Sequence, residues 1–286
     1  MDISDADIVK AASALGVIGG DAQTVHRILA ALCDPDLGSR EIADIVLREP
    51  GLTARVLKVA NSAYYGQSRN IATLERALVI LGLDAVRGIT AAACLDRSIA
   101  RRTQFGAIDP RALVHHCVAS AFAAEQLARL SGRGHPAEAF MAGLLHDFGV
   151  PVQERLDPEG VAALIQALRE QPDAEVQALE KSLLKIPHTR CAQVIFESWQ
   201  LPPSITLAVL YHDDPHDAPG PVKDLTTLVH LGIQLSIEAG FTYPAEPRQF
   251  RLAREPMLRA LGIPAEALPP IIEKLAERVL LVAEAA

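Results

Sequence analysis

Apolar residues in the first hundred positions recur at helical spacing, in short runs separated by proline, glycine and acidic residues. The run over residues 25–32 follows the three- and four-residue spacing of one helix face, and Asp34-Pro35-Asp36 ends it. Ser39 is expected to cap the next helix, and Glu49-Pro50-Gly51 to end that one. The same pattern predicts further short helices over residues 52–63, 73–81 and 84–100.

The rest of the chain carries longer helical patterns. Asp109-Pro110 is a typical helix start, because proline suits the first turn, and the apolar spacing then continues for about five turns. A further helix after Leu201-Pro202-Pro203 carries Ile205, Ala208, Val209 and His212. The remaining predicted helices cover residues 136–145, 158–169, 172–184, 188–199, 225–237 and 265–285. No useful length of strand-like alternation occurs, so the fold class is all-α, a multi-helix bundle.

Composition narrows the class of protein further. The chain has 286 residues, of which 50% are apolar and 22% charged, which excludes global disorder. A net charge of −8 argues against a nucleic-acid-coating surface. No apolar run is long enough to span a bilayer, and the acidic start lacks a signal peptide's basic region. The separated cysteines, Cys33, Cys94, Cys117 and Cys191, are expected to be reduced, in a cytoplasmic protein.

Several motifs that would identify a common enzyme class are missing. The sequence has no GxxxxGK[ST] phosphate loop and no GxGxxG dinucleotide fingerprint. It also has no GxSxG nucleophile elbow and no HExxH zinc motif. These absences leave the histidines as the residues most informative about function.

Five residues form the candidate chemistry: His116, the adjacent His146-Asp147, His188 and His212. Each lies on or at the end of a predicted helix, and ligands from several helices can converge inside a bundle. Imidazole together with carboxylate suits Zn, Fe or Mn, and an adjacent His-Asp pair can serve two ions with the carboxylate as bridge. Spacing alone does not separate this interpretation from that of ordinary hydrogen-bonded core histidines.

Two groups of residues resemble a known family. Residues 143–149, GLLHDFG, resemble the GLLHDIG signature of the HD superfamily of metal-dependent phosphohydrolases. Upstream, Asp34-Pro35 and residues 42–46, 49–57, 61–66 (NSAYYG) and 71–83 resemble the N-terminal half of HDOD domains, an HD-related output domain of bacterial signalling. Residues 188–202 and His212 are similar to its C-terminal half. The resemblance covers residues 14–217.

The resemblance implies how the chain is divided. An N-terminal subdomain of short helices, about 14–106, is expected to pack on an HD-like helical subdomain, about 107–217. Trp199 is expected to anchor the junction between them. Residues 218–286 form a C-terminal helical extension, which either packs back on the core or forms a dimer surface.

The resemblance also assigns candidate ligands. His116 matches the first histidine of HD enzymes, His146 and Asp147 match the pair, and His188 matches the next histidine. His212 matches the first residue of a usual His-His, and Asp213 takes the second place. The family's later aspartate should fall around Gly232-Ile233 and is missing, as is any GYP sequence. The metal candidates are therefore His116, His146, Asp147, His188, His212 and Asp213, in a degenerate site with no assigned catalytic residue.

The implied function is that of a standalone signalling protein that is non-catalytic and acts by binding other proteins, in second-messenger or motility circuits. The expected partners are signalling proteins of unknown identity, with a homodimer also compatible, and neither membrane nor nucleic acid. No cofactor is expected unless the site is functional, in which case a divalent Fe, Mn or Zn ion is implied. The alternatives are a metal-dependent phosphohydrolase or phosphodiesterase with an altered ligand set, and a nucleotide- or metal-binding sensor.

Overall fold

The computed structural model describes residues 3–15, 22–62, 65, 71–99, 107–171, 174, 176–243 and 253–283. Every regular element in these ranges is a helix, which confirms the all-α prediction. Residues 63, 64, 66 and 100–106 lie outside the described residues. Part of the NSAYYG motif and the end of the helix predicted over residues 84–100 fall on them.

The N-terminal half consists of short helices close to the predicted ones. Ser39 is the first residue of its helix and not the cap, which is Gly38. Pro50 begins a helix after the N-cap Glu49, because proline at the first position loses no hydrogen bond. Thr73 caps the following helix through its side chain. The helices are α1 (Asp5–Ala14), α2 (Ala22–Leu32), α3 (Ser39–Leu47), α4 (Pro50–Ala60), α5 (Leu74–Leu81) and α6 (Leu83–Ile99).

The second half contains the longer helices. α13 (Pro203–Leu210) ends before His212, which therefore lies in the turn after the helix and not on it. α1, α9 (Val150–Leu156) and α15 (Arg254–Leu261) have no counterpart among the predicted helices. The helices are α7 (Pro110–Ser131), α8 (Pro136–Leu145), α9 (Val150–Leu156), α10 (Pro158–Glu170), α11 (Val176–Leu183), α12 (His188–Ser198), α13 (Pro203–Leu210), α14 (Lys223–Glu238), α15 (Arg254–Leu261) and α16 (Pro269–Ala283).

Arg87 holds the N-terminal half together. It lies buried on α6, and its guanidinium donates to the carbonyl oxygens of Leu32 (3.1 Å), Asp34 (2.6 Å) and Leu37 (2.9 Å). These carbonyls belong to the end of α2 and the loop before α3, where no helix partner is available to them. A single arginine with several donors therefore fixes the break that Asp34-Pro35-Asp36 introduces.

α7 is the central helix of the second half, with α8, α14 and α16 packed against it. Two glycines allow the backbones to approach closely. A Cβ atom on Gly143 of α8 would lie 2.9 Å from the Cα atom of Ala121, and one on Gly232 of α14 would lie 2.7 Å from the carbonyl oxygen of Ser120. Because α14 and α16 both pack against α7, the C-terminal extension folds back on the core.

Trp199 lies between the two halves, as predicted. Its ring stacks on that of His26 of α2, with centroids 5.1 Å apart, and its carbonyl oxygen lies 2.9 Å from the Nε2 atom of the same histidine. On its other side it contacts Phe148 edge to face.

No single helix among the described residues combines the length and the apolar composition needed to cross a bilayer. α5 and α6 reach that threshold only when taken together, and they are bent by 112° relative to each other.

Candidate metal centre

The six candidate ligands come from four separate parts of the chain and meet at one place. His116 lies on α7, His146 and Asp147 in the turn after α8, and His188 at the start of α12. His212 and Asp213 lie in the turn after α13. His116, His146 and Asp147 are completely buried, and His212 and His188 are 1% and 6% exposed. Residues separated by up to 97 positions therefore share one interior site.

Asp147 lies at the middle of this cluster. Its Oδ2 atom is 2.8 Å from the Nε2 atom of His146 and 3.8 Å from that of His116. Its Oδ1 atom is 3.2 Å from the Nε2 atom of His188 and 4.0 Å from that of His212. The carboxylate thus faces two histidines with each oxygen, which is the arrangement that a bridging ligand requires.

The opposite side of three imidazoles is fixed by backbone carbonyl groups. The Nδ1 atom of His116 lies 2.8 Å from the oxygen of Phe241, that of His146 2.8 Å from Gly143, and that of His212 2.7 Å from Val209. A carbonyl oxygen can only accept, so each Nδ1 carries a proton, and in the neutral ring Nε2 is the atom with the lone pair. Such contacts orient histidines as metal ligands.

His146 and His212 reach this orientation by the same local geometry. Each is placed just beyond the end of a helix and donates to the carbonyl group three residues earlier. Carbonyls in the last turn of a helix have no partner within it, so a histidine there satisfies one and turns its Nε2 atom away from the helix. The ends of α8 and α13 therefore each present one imidazole to the interior.

His188 differs from the other three histidines because its Nδ1 atom faces a carboxylate, Glu180 Oε1, at 2.8 Å. Burial by itself lowers the pKa of His188, but the charge and hydrogen bond of Glu180, with Asp147 and Asp213 nearby, outweigh it and raise the pKa to about 9. His188 is therefore protonated at neutral pH in the metal-free protein, and a metal ion must displace that proton. The pKa of His212, by contrast, is lowered to about 4 by burial.

Asp213 lies on the solvent side of the cluster. Its Oδ1 atom is 3.5 Å from the Nε2 atom of His212, and its Oδ2 atom is 3.9 Å from that of His188. A cavity of about 40 Å³ reaches the cluster between His188, Asp213 and Tyr243. A larger cavity of about 440 Å³, the outer cavity, lies on the solvent side of the cluster. Its lining includes Glu180, Lys181, Asp213, Asp214 and Asp217.

Sequence reasoning missed two side chains of the site. Glu180 of α11 orients His188, and Tyr243 donates its hydroxyl hydrogen bond to the Oδ2 atom of Asp147. Neither stands in a motif, and Tyr243 lies in the C-terminal extension, so no spacing pattern could identify them. His230, in contrast, is a core histidine: it lies buried, with Nδ1 2.7 Å from the His212 carbonyl oxygen.

The resemblance places the missing aspartate around Gly232-Ile233, and the first of these two positions is closed to any side chain. Gly232 faces the α7 backbone, where a Cβ atom would lie 2.7 Å from the Ser120 oxygen and 2.9 Å from the Ala124 nitrogen. Any side chain there would push α14 away from α7. One turn later, Ser236 contacts the Nδ1 atom of His116 at 3.2 Å and contributes only a hydroxyl.

The residues present fit a divalent metal ion. The Nε2 atom of His212 is buried and makes no hydrogen bond within the described residues. It lies 4.0 Å from the Oδ1 atom of Asp147, so it is available to a metal ion. The ligand atoms of His116, His146 and Asp147 lie within 4.8 Å of one another, as do those of Asp147, His188 and His212. Nitrogen and carboxylate donors of this kind suit Zn, Fe or Mn.

Comparison with protein families identifies one match, the HDOD domain, over residues 20–215. A curated relative, an uncharacterised protein from Treponema pallidum (strain Nichols), is 24% identical over 241 residues, which are 81% of this chain and 46% of the relative. The chain thus spans about half the length of the curated relative that it matches.

Solved structures share the fold. A candidate signal transduction protein from Marinobacter aquaeolei VT8 is 25% identical with a TM-score of 0.75, over 96% of this chain and 60% of that one. An HDOD domain protein of unknown function from Geobacter sulfurreducens is 23% identical with a TM-score of 0.74, over 99% of both chains. A candidate phosphohydrolase from Shewanella amazonensis SB2B is 20% identical with a TM-score of 0.69, over 98% of both chains.

Proposed function

Because the chain belongs to the HDOD domain family, we propose that it is a regulatory protein of signal transduction whose buried histidine–aspartate cluster binds a divalent metal ion without hydrolysing phosphoesters. The observation that carries the metal-binding part is the convergence of four Nε2 atoms on both oxygens of Asp147. The likeness to a candidate signal transduction protein from Marinobacter aquaeolei VT8 supports the regulatory part.

The metal would be held by His116, His146 and Asp147 on one side and by Asp147, His188 and His212 on the other. A bound ion would supply positive charge that balances Asp147 and joins α7, α12 and the turns after α8 and α13. These parts lie far apart in sequence, so the site couples metal binding to the stability of the whole HD-like half. That coupling is what a metal-dependent regulatory module needs.

The space and charge around the cluster argue against turnover of a phosphoester. Substrate pockets measure about 300–1,000 Å³, whereas the cavity that reaches His188 holds about 40 Å³. The outer cavity is large enough, but Glu180, Asp213, Asp214 and Asp217 line it against the single cation of Lys181. Carboxylates that line a cavity repel a phosphate anion that enters it.

We expect partner proteins to bind this chain and to respond to whether the metal is bound. Two large apolar side chains of the N-terminal half, Leu47 on α3 and Val79 on α5, are 52% and 75% exposed. α3 and α5 pack against each other, so these side chains are candidates for a partner surface.

A second function, metal-dependent phosphohydrolase, is favoured by one observation. The two groups of ligands share Asp147, which is the layout of two ions bridged by a carboxylate. Such a pair of ions supplies the Lewis acidity for phosphoester hydrolysis.

One experiment separates the two functions. Metal-free protein is loaded with Mn, Fe or Zn and incubated with p-nitrophenyl phosphate, its diester and cyclic dinucleotides, while thermal unfolding is followed in parallel. We expect no turnover above the chelator-treated control. At about 100-fold metal excess over Kd, we expect an unfolding midpoint raised by roughly 5–10 °C, equivalent to about 2.7 kcal/mol.

Turnover that disappears in Asp147→Asn protein would establish the phosphohydrolase instead. A midpoint that no metal raises would contradict the proposed binding itself.

A further inference from the structure

Tyr243 stands at the cluster without being part of the proposed ligand set. It is 2% exposed, and its hydroxyl donates to the Oδ2 atom of Asp147. The same oxygen lies 2.8 Å from the Nε2 atom of His146 and 3.8 Å from that of His116. The phenol oxygen therefore lies beside the oxygen that faces the first pair of histidines.

The backbone around Tyr243 shows that this position is built and not incidental. Two residues earlier, the carbonyl oxygen of Phe241 accepts from the Nδ1 atom of His116 at 2.8 Å. The Tyr243 ring packs edge to face on the His116 ring, with centroids 5.1 Å apart. The segment that follows α14 thus orients one histidine and delivers an oxygen donor at the same time.

An oxygen donor at this place would stand in for the family's later aspartate, which this chain lacks. The α14 backbone lies too close to α7 at Gly232 for any side chain to project there. Ser236, one turn later, faces the back of His116 and not its Nε2 atom. Tyr243 of the C-terminal extension contacts Asp147 through an oxygen that can carry negative charge.

We propose that Tyr243 is an oxygen ligand of this metal centre and makes it an iron site. The inference rests on the proposed metal binding and extends it to the identity of the metal. A metal ion that binds the Tyr243 oxygen would displace its proton and leave a hard anionic donor, and tyrosine oxygen is an established ligand of haem iron. The metal ligands on this side of the cluster would then be the imidazoles of His116 and His146, the Oδ2 atom of Asp147 and the phenolate oxygen of Tyr243.

The test uses the visible charge-transfer band that phenolate–iron(III) coordination produces. Metal-free wild-type protein is loaded with Fe(II) under argon. Each iron is then oxidised by one equivalent of ferricyanide, which takes up the electron and becomes ferrocyanide. Iron content is measured on the same samples, and resonance Raman spectroscopy identifies phenolate modes. We expect a coloured protein whose band is lost in Tyr243→Phe.

Tyr211→Phe is the matched control, because Tyr211 lines the outer cavity and its hydroxyl makes no hydrogen bond to a proposed ligand within the described residues. It should keep the band at full intensity. Iron bound by the wild type without a phenolate band, or a band that survives in Tyr243→Phe, would overturn this inference and leave metal binding intact. A wild type that takes up no metal at all would overturn both. A wild type without the band overturns the inference even if the variant folds poorly.

Discussion

Asp147→Asn is expected to weaken divalent-metal binding by at least about 100-fold while leaving the chain folded. One ligand group consists of His116, His146 and Asp147 and the other of Asp147, His188 and His212, so the two groups share Asp147. Each oxygen of its carboxylate faces one group. Asparagine keeps the shape but removes the negative charge and one of the two oxygen donors. Even residues that only orient a ligand reduce metal affinity 10–100-fold when mutated, so loss of the shared carboxylate should exceed that range.

Competition against a chromophoric chelator measures this affinity directly. Asp224→Asn is the control, because it removes the same charge from the surface of α14, where Asp224 is half exposed and pairs with Arg133 at 3.3 Å. The control should bind metal like the wild type. An Asp147→Asn protein with unchanged affinity would show that the metal binds elsewhere.

Gly149→Ala is expected to lower the free energy of unfolding by about 3 kcal/mol. A Cβ atom on Gly149 would lie 2.0 Å from the carbonyl oxygen of His188 and 2.7 Å from the nitrogen of Ala192. Both are backbone atoms of α12, so no side chain can rotate to make room. The φ angle of Gly149 is −77°, which any residue adopts, so the cost is purely steric.

The same substitution should also disturb the site, because the clash pushes directly on His188, the first residue of α12. Urea unfolding monitored by circular dichroism gives the stability, with metal affinity measured on the folded fraction. Gly51→Ala is the matched control: a Cβ atom there meets nothing within 4 Å. Since Gly51 lies in α4, alanine should raise the free energy of unfolding of the protein by about 0.5–1 kcal/mol. Equal effects of the two substitutions would refute the close packing at Gly149.

Much of the fold is predictable from local pattern. Apolar spacing and proline or glycine breaks locate most helices to within a few residues, because those signals act within one or two turns. Three helices are missed, α1, α9 and α15. α9, for example, has only seven residues, so its periodicity is too brief to detect.

The candidate site is predictable only in part. Resemblance to the family supplies the six candidate ligands, which the structure brings together. It cannot supply what depends on tertiary packing, such as the Phe241 carbonyl group on His116 or the Glu180 carboxylate on His188. Phe241 and Tyr243 lie beyond residues 20–215, the stretch that matches the family. The extension therefore completes the site with contacts that the family pattern does not encode.

Gly232 shows how a missing residue can be interpreted physically. From sequence, an apolar position in place of the family's aspartate indicates only that a charge is lost. The structure adds that α14 packs too tightly on α7 at this point for any side chain. Substituting aspartate at Gly232 would therefore not restore a ligand.

Metal content of the protein tests the central claim most directly. Untagged wild-type protein is incubated with Fe, Mn and Zn, passed through a desalting column and analysed by plasma mass spectrometry beside the His146→Ala/Asp147→Ala variant. The account predicts about one to two equivalents of metal in the wild type, as one carboxylate shared by two ligand groups allows, and none in the variant. A wild type that stays folded and metal-free, or a variant that retains the same metal, would contradict it.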